Sequence, residues 1–201
     1  MIDGEEGNHA RIEAEIMGQF SLKTLPSLFK LVDSLHVIQS NESGQSSANE
    51  IESVVEKYAY GVSAVTKSIS SMARIAPKDQ IQRLFVKVVQ KLLEASQSDD
   101  KNKVGKMCSL LALSQALVIS ECLDESSISL LYRSLKPIIR TDETPSRIQK
   151  RAYKVFSEIC NTYHSFVADP ERLKEVMELL SSSGATSLVS ARFMASFFSQ
   201  Q

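Results

Sequence analysis

Apolar residues recur along this chain at spacings of three and four, in runs separated by short polar stretches. The pattern is clearest from Ser126 to Gly184. There Ile128, Leu131, Leu135, Ile138 and Ile139 make one stripe, Thr144-Pro145 restarts the chain, Ile148, Ala152, Val155, Phe156 and Ile159 make a second, and Asp169-Pro170 begins a third. A stripe of this period is the buried face of an amphipathic α-helix. Helices of this kind bury their faces against one another when antiparallel pairs stack side by side into a solenoid. The fold class expected is all-α: a HEAT-like, armadillo-like solenoid of helical hairpins.

The rest of the chain divides in the same way. His9 to Phe20 reads as a short helix, and Thr24-Leu25-Pro26 as the start of a second, with Thr as cap and Pro in the first turn; this helix would bury Leu28, Phe29, Val32 and Leu35. Residues 1–38 are thus expected to form an N-terminal helical hairpin. Residues 39–48, a run of Ser, Asn, Gly and Gln, read as a polar loop and the best internal boundary. Residues 49–201 carry HEAT-like repeats, about three hairpins and a terminal half-repeat. Ile51, Val55, Tyr58, Val62, Val65, Ile69 and Met72 keep one stripe up to Ile75-Ala76-Pro77, and a new stripe runs through Ile81, Leu84, Phe85, Val88 and Leu92. A coiled coil competes as a reading of the first stripe, but the proline break favours two antiparallel helices. Val104 to Leu117 is expected to pair with Ser126 to Arg140, and Pro145 to Tyr163 with Pro170 to Leu180, closed at Gly184. First helices would begin near 51, 103 and 146, steps close to the roughly 40 to 47 residues of HEAT and armadillo units. Thr186 to Phe198 reads as a further helix without its partner, so the chain is expected to be a piece of a longer array or to be covered there by another molecule.

Composition narrows the function more than the fold. With 201 residues and 43% hydrophobic content the chain can bury a sizeable core. No stretch approaches the roughly 20 uninterrupted apolar residues of a membrane span. The acidic start lacks the basic-then-apolar order of a secretory signal, so the protein is expected to stay inside the cell. Cys108, Cys122 and Cys160 are odd in number and have no CxxC spacing, which fits core thiols rather than disulfides or a zinc site. His9, His36 and His164 fall in separate elements without ligand-spaced partners, and neither GxGxxG nor GxxxxGK[ST] occurs. The expectation is a non-enzyme with no metal, cofactor or small-molecule substrate.

Charge is unevenly spread. Residues 1–60 hold 4 Lys+Arg against 10 Asp+Glu, net −6, and residues 61–201 hold 19 against 14, net +5. Within the basic part three groups stand out. Arg83, Lys87 and Lys91 lie four apart, and Arg133, Lys136 and Arg140 three and four apart, each set lining one side of a helix. If those helices are neighbours, six cations share one wall. Arg147, Lys150, Arg151 and Lys154 form the densest cluster, expected on the opposite wall beside the stripe of Ile148, Ala152 and Val155. Each group is a candidate contact for RNA phosphates or an acidic protein, against the plainer reading of an ordinary solvated helix face. Tyr153 is the only interleaved aromatic, so base stacking has little support.

The segments RIQKRAYKVFSEIC (147–160) and LYRSLKPII (131–139) resemble the ribosomal RNA processing protein 12 family of nucleolar HEAT-repeat proteins. Upstream, IAPK (75–78), LFVKVVQKLLEA (84–95) and LLALSQALV (110–118) occur in that family's order. The likeness runs from about Glu56 to the C-terminus, and QKRAYKV (149–155) is its most specific part. The resemblance implies a nuclear and nucleolar scaffold in ribosome biogenesis. It would support ribosomal RNA processing and maturation or nuclear export of the small subunit, with pre-ribosomal RNA, assembly proteins and nuclear-export machinery as partners and no catalytic site to carry over. The alternative is a protein-interaction solenoid of transport-receptor or adaptor type that does not bind RNA.

Overall fold

Prolines and carboxylates set the starts of the later helices. The Pro77 carbonyl accepts from the backbone N–H of Gln80 and Ile81 at 3.1 Å, and the Pro145 carbonyl from Ile148 and Gln149 at 2.9 and 3.1 Å. The Asp124 carboxylate caps the next start by accepting from the Ser127 N–H at 2.8 Å, and Asp169 does the same for Arg172 at 2.9 Å. The structure, a computed structural model, describes residues 3–42, 48–99, 102–140 and 143–182, with side chains for 11–35, 60–99, 102–140 and 143–179. Among these residues there are α-helices and no strand: α1 (Asp3–Glu42), α2 (Ala48–Ile75), α3 (Lys78–Gln97), α4 (Lys103–Ile119), α5 (Glu125–Arg140), α6 (Ser146–Thr162), α7 (His164–Val167) and α8 (Pro170–Ser182).

The helices pack as an all-α solenoid. α3, α5 and α8 touch in sequence along one layer, α2, α4 and α6 along the other, and α1 lies on α2 and α4. The predicted stripes on α5 and α6 are the buried ones: Ile128, Leu131, Leu135 and Ile139 on α5, and Ile148, Ala152, Val155, Phe156 and Ile159 on α6, are at most 1% exposed, whereas the side chains of Ile51, Val55 and Tyr58 lie outside those described. A fully buried Leu, Ile or Phe contributes roughly 1.5–3 kcal/mol, so these faces dominate the stability of the array. α4 differs. Met107, Cys108, Leu110, Leu111, Ala112, Leu113, Ala116, Leu117 and Val118 are all buried, because α1, α2, α3 and α6 surround it.

That arrangement corrects the expected hairpin frame by one helix. The extended contacts join α1 to α2, α3 to α4 and α5 to α6, whereas 51–75 with 78–97, 104–119 with 126–140 and 145–163 with 170–180 share no comparable packing. Periodicity specifies which face of a helix is buried but not which neighbour covers it. The stripe of Ile81, Phe85, Val88 and Leu92 closes on α4, not on α2.

The N-terminal region is also corrected. In place of two short helices, residues 3–42 form one helix that carries Pro26 inside it. The Thr24 hydroxyl, expected to cap a new helix, instead donates to the Phe20 carbonyl at 2.8 Å, one turn back in the same helix. Pro26 removes one N–H from the ladder. The packing of Leu25 and Val32, both essentially inaccessible, holds the helix together across it. Of the expected loop, Gln39 to Glu42 and Ala48 are helical, and 43–47 lie outside the described residues, as does the helix expected over Thr186 to Phe198. One short element went unforeseen. α7 is a single turn between α6 and α8 whose Phe166 and Val167 enter the core.

Candidate functional site

The three basic groups take up different positions. On α3, Arg83 is exposed and lies 4.0 Å from Asp79 one turn earlier. Lys87 and Lys91 turn toward α1, whereas the side of α3 that meets α5 carries Leu93 and Ser96.

On α5, Arg133 and Arg140 are exposed, but Lys136 is engaged within the fold. Its Nζ lies 2.6 Å from Glu175 Oε2 of α8 and 4.8 Å from the centre of the Tyr132 ring. The same carboxylate accepts from the Tyr132 hydroxyl at 3.3 Å. Charge-assisted hydrogen bonding from Lys136 holds the Glu175 carboxyl below its ordinary pKa. Thus α3 and α5 are neighbours, but Lys87 and Lys91 face α1 and Lys136 faces α8, so these three lysines do not share one patch.

The α6 group stays together. At 100° per residue, Arg147, Lys150, Arg151 and Lys154 fall within an arc of about 100°, opposite the buried stripe. Arg147, Lys150 and Lys154 are exposed and Arg151 is half-buried. Among the described residues Arg147, Lys150 and Lys154 form no ion pair with a carboxylate. Arg147 and Arg151 lie close enough to α4 to oppose electrostatically the rise that burial imposes on the Cys108 thiol. Glu158, further along α6, accepts from Gln115 of α4 at 3.1 Å and fixes the helix against its neighbour.

A fourth basic site joins residues far apart in sequence. Between α1 and α3, over α4, lies a cleft of about 520 Å³ lined by Phe29, Leu84, Val88, Leu110 and Leu113 and edged by Lys30, Lys87, Lys91 and Lys106. Lys30, Lys106 and Asp33 were not candidates on sequence alone. Each lies on a helix whose sequence gives it no local signal, and only the packing of α1 on α4 makes them neighbours of Lys87 and Lys91.

The remaining chemistry is sparse. Cys108, Cys122 and Cys160 are free and buried. Among the described residues no cluster of three or more His, Cys, Asp or Glu side chains could hold a metal ion. His164 is exposed in α7, and the side chains of His9 and His36 lie outside those described. No helix among the described residues is long and apolar enough to cross a membrane.

The fold is that of an all-α helical-repeat solenoid. In sequence the chain is similar to the RRP12-like protein of Homo sapiens, with 28% identity over 97 residues, which is 48% of this chain and 7% of that protein. The chain therefore spans only a small part of the length of this curated relative. No protein-family model matches the chain, and no solved structure matches it.

Proposed function

We propose that this chain is a non-catalytic helical-repeat scaffold of ribosome biogenesis. It acts in the nucleus and nucleolus, where it supports ribosomal RNA processing and maturation or export of the small subunit by holding precursor RNA and assembly proteins. The observation that carries the reading is the similarity over 97 residues to the RRP12-like protein, found in a chain that folds as a solenoid. The α6 face supports it: Arg147, Lys150, Arg151 and Lys154 offer a compact cationic ridge of the kind that contacts phosphates without reading sequence. Lys136 is not part of that surface, since its charge serves the α5–α8 contact.

The test is crosslinking in cells, followed by identification of what is attached at Lys150 and Lys154. Small-subunit precursor RNA and assembly factors are the expected products. If RNA fails to displace the bound partner and the chain stays out of the nucleolus, the protein-only adaptor reading replaces this one.

A further inference from the structure

The cleft between α1, α3 and α4 has a composition that neither a solvated helix face nor a packing defect accounts for. Each of its three helices contributes residues at i, i+3, i+4 and i+7: Pro26, Phe29, Lys30 and Asp33 from α1, then Leu84, Lys87, Val88 and Lys91 from α3. From α4 come Gly105, Lys106, Ser109, Leu110 and Leu113, with Asn102 just before its first turn. One continuous face of each helix is therefore turned into the same space. Apolar side chains make its walls and floor, and Gly105 adds no side chain to it. Four lysines from three helices stand around it. None of Lys30, Lys87, Lys91 and Lys106 pairs with a carboxylate among the described residues. The single acidic residue at the rim, Asp33, is engaged by the Ser109 hydroxyl, which ties α1 to α4.

Like charges gathered around an apolar groove repel one another unless an opposite charge sits among them. We propose that this cleft is a docking site for an acidic amphipathic segment of a partner protein, a helix or turn whose apolar anchors enter between Phe29, Leu84 and Leu113 while its carboxylates meet the four lysines. Helix-in-groove recognition has this form, with anchors at i, i+3, i+4 and i+7. Nucleic acid matches the rim but not the floor, because phosphates have no use for aliphatic walls and no aromatic besides Phe29 is there to stack on a base. The site is separate from the α6 ridge, so either can fail without the other.

The experiment is fluorescence polarisation on the full chain. The probe is a short fluorescein-labelled peptide with leucines at i, i+3, i+4 and i+7 and glutamates elsewhere. A peptide of the same composition with its leucines dispersed, and single-stranded poly-uridine, serve as competitors. The patterned peptide is expected to bind, and the Lys87→Glu and Lys91→Glu double variant, altered only at exposed positions, to weaken it at least tenfold. Phe29→Ala should weaken it several-fold without any change of charge, and Lys150→Glu with Lys154→Glu should leave it unchanged. Absence of binding, equal binding of the dispersed peptide, or displacement by poly-uridine as effective as by unlabelled peptide overturns the proposal. Circular dichroism on each variant separates loss of the site from loss of the fold.

Discussion

Lys136 and Glu175 join α5 to α8 through a 2.6 Å contact, and Tyr132 places its hydroxyl on the same carboxylate and its ring beneath the same ammonium. The pair is partly solvated, with side-chain exposures of 23% and 49%, so its contribution is that of a favourable surface pair. Replacing Glu175 with Ala is expected to cost about 1 kcal/mol, and a double-mutant cycle with Lys136→Met to give a coupling of about 0.5 kcal/mol in urea unfolding. Lys136→Met should leave RNA binding unchanged, which distinguishes a structural lysine from a contact residue.

Asp124 offers a second stability test, this time against pH. Hydrogen bonds from Ser127 hold its carboxyl below the ordinary value, with Ser126 adding a further bond at 3.0 Å. A depressed folded pKa means that the stabilisation is present above the unfolded value, about 4, and fades as pH falls through the lower folded value. Glu175, also depressed, acts in the same direction and window. Asp124→Ala is expected to cost about 1 kcal/mol at neutral pH, whereas Asp124→Asn, still a good cap, should cost little and flatten the acid limb of the stability curve. Chemical unfolding at pH 7, 5 and 3 reads both outcomes.

Thiol reactivity reports on the core. Burial pushes the Cys160 thiol up to about 12 and raises Cys108 as well, the latter partly offset by Arg147 and Arg151. Thiolate is the reactive form, so both cysteines should resist a disulfide reagent at pH 8 and react promptly once urea unfolds the chain. Fast native labelling at either position, located by peptide mapping, would contradict the packing of α4 against α6.

The α6 ridge makes the sharpest functional prediction. Lys150→Glu with Lys154→Glu should lower affinity for single-stranded RNA at least tenfold and reduce the slope of log affinity against log salt by about 2, with no loss of thermal stability because both residues are exposed. Filter binding across a salt series, alongside a melting curve, provides the check.

Much of this molecule was legible in its sequence, and the parts that were not share a physical reason. The stripes on α5 and α6 could be read because one face is buried and the other solvated, so spacing alone marks the core. The helix pairings could not, since the same stripe fits any neighbour with a complementary face. α4 did carry a usable signal: its Leu, Ala and Val residues surround the helix almost completely, and an apolar circumference marks a helix covered on several sides. The N-terminal misreading came from Thr24 and Pro26, which have the residue types of a helix start; tertiary packing of Leu25 and Val32 overrode them. The density of the α6 ridge was visible because its four cations lie within eight residues of sequence. The cleft was invisible, as Lys30, Lys87 and Lys106 meet only when α1 reaches α4.

That reach of α1 past α2 onto α4 changes how the array comes apart. A simple stack of repeats unzips from either end, one nearest-neighbour interface at a time. Here the first helix cannot detach without also uncovering part of α4, the second helix of the second hairpin, so the first two hairpins are welded into one cooperative block. Amide hydrogens of α4 should accordingly be the slowest to exchange, and α1 and α8 should differ in how readily they detach from the array.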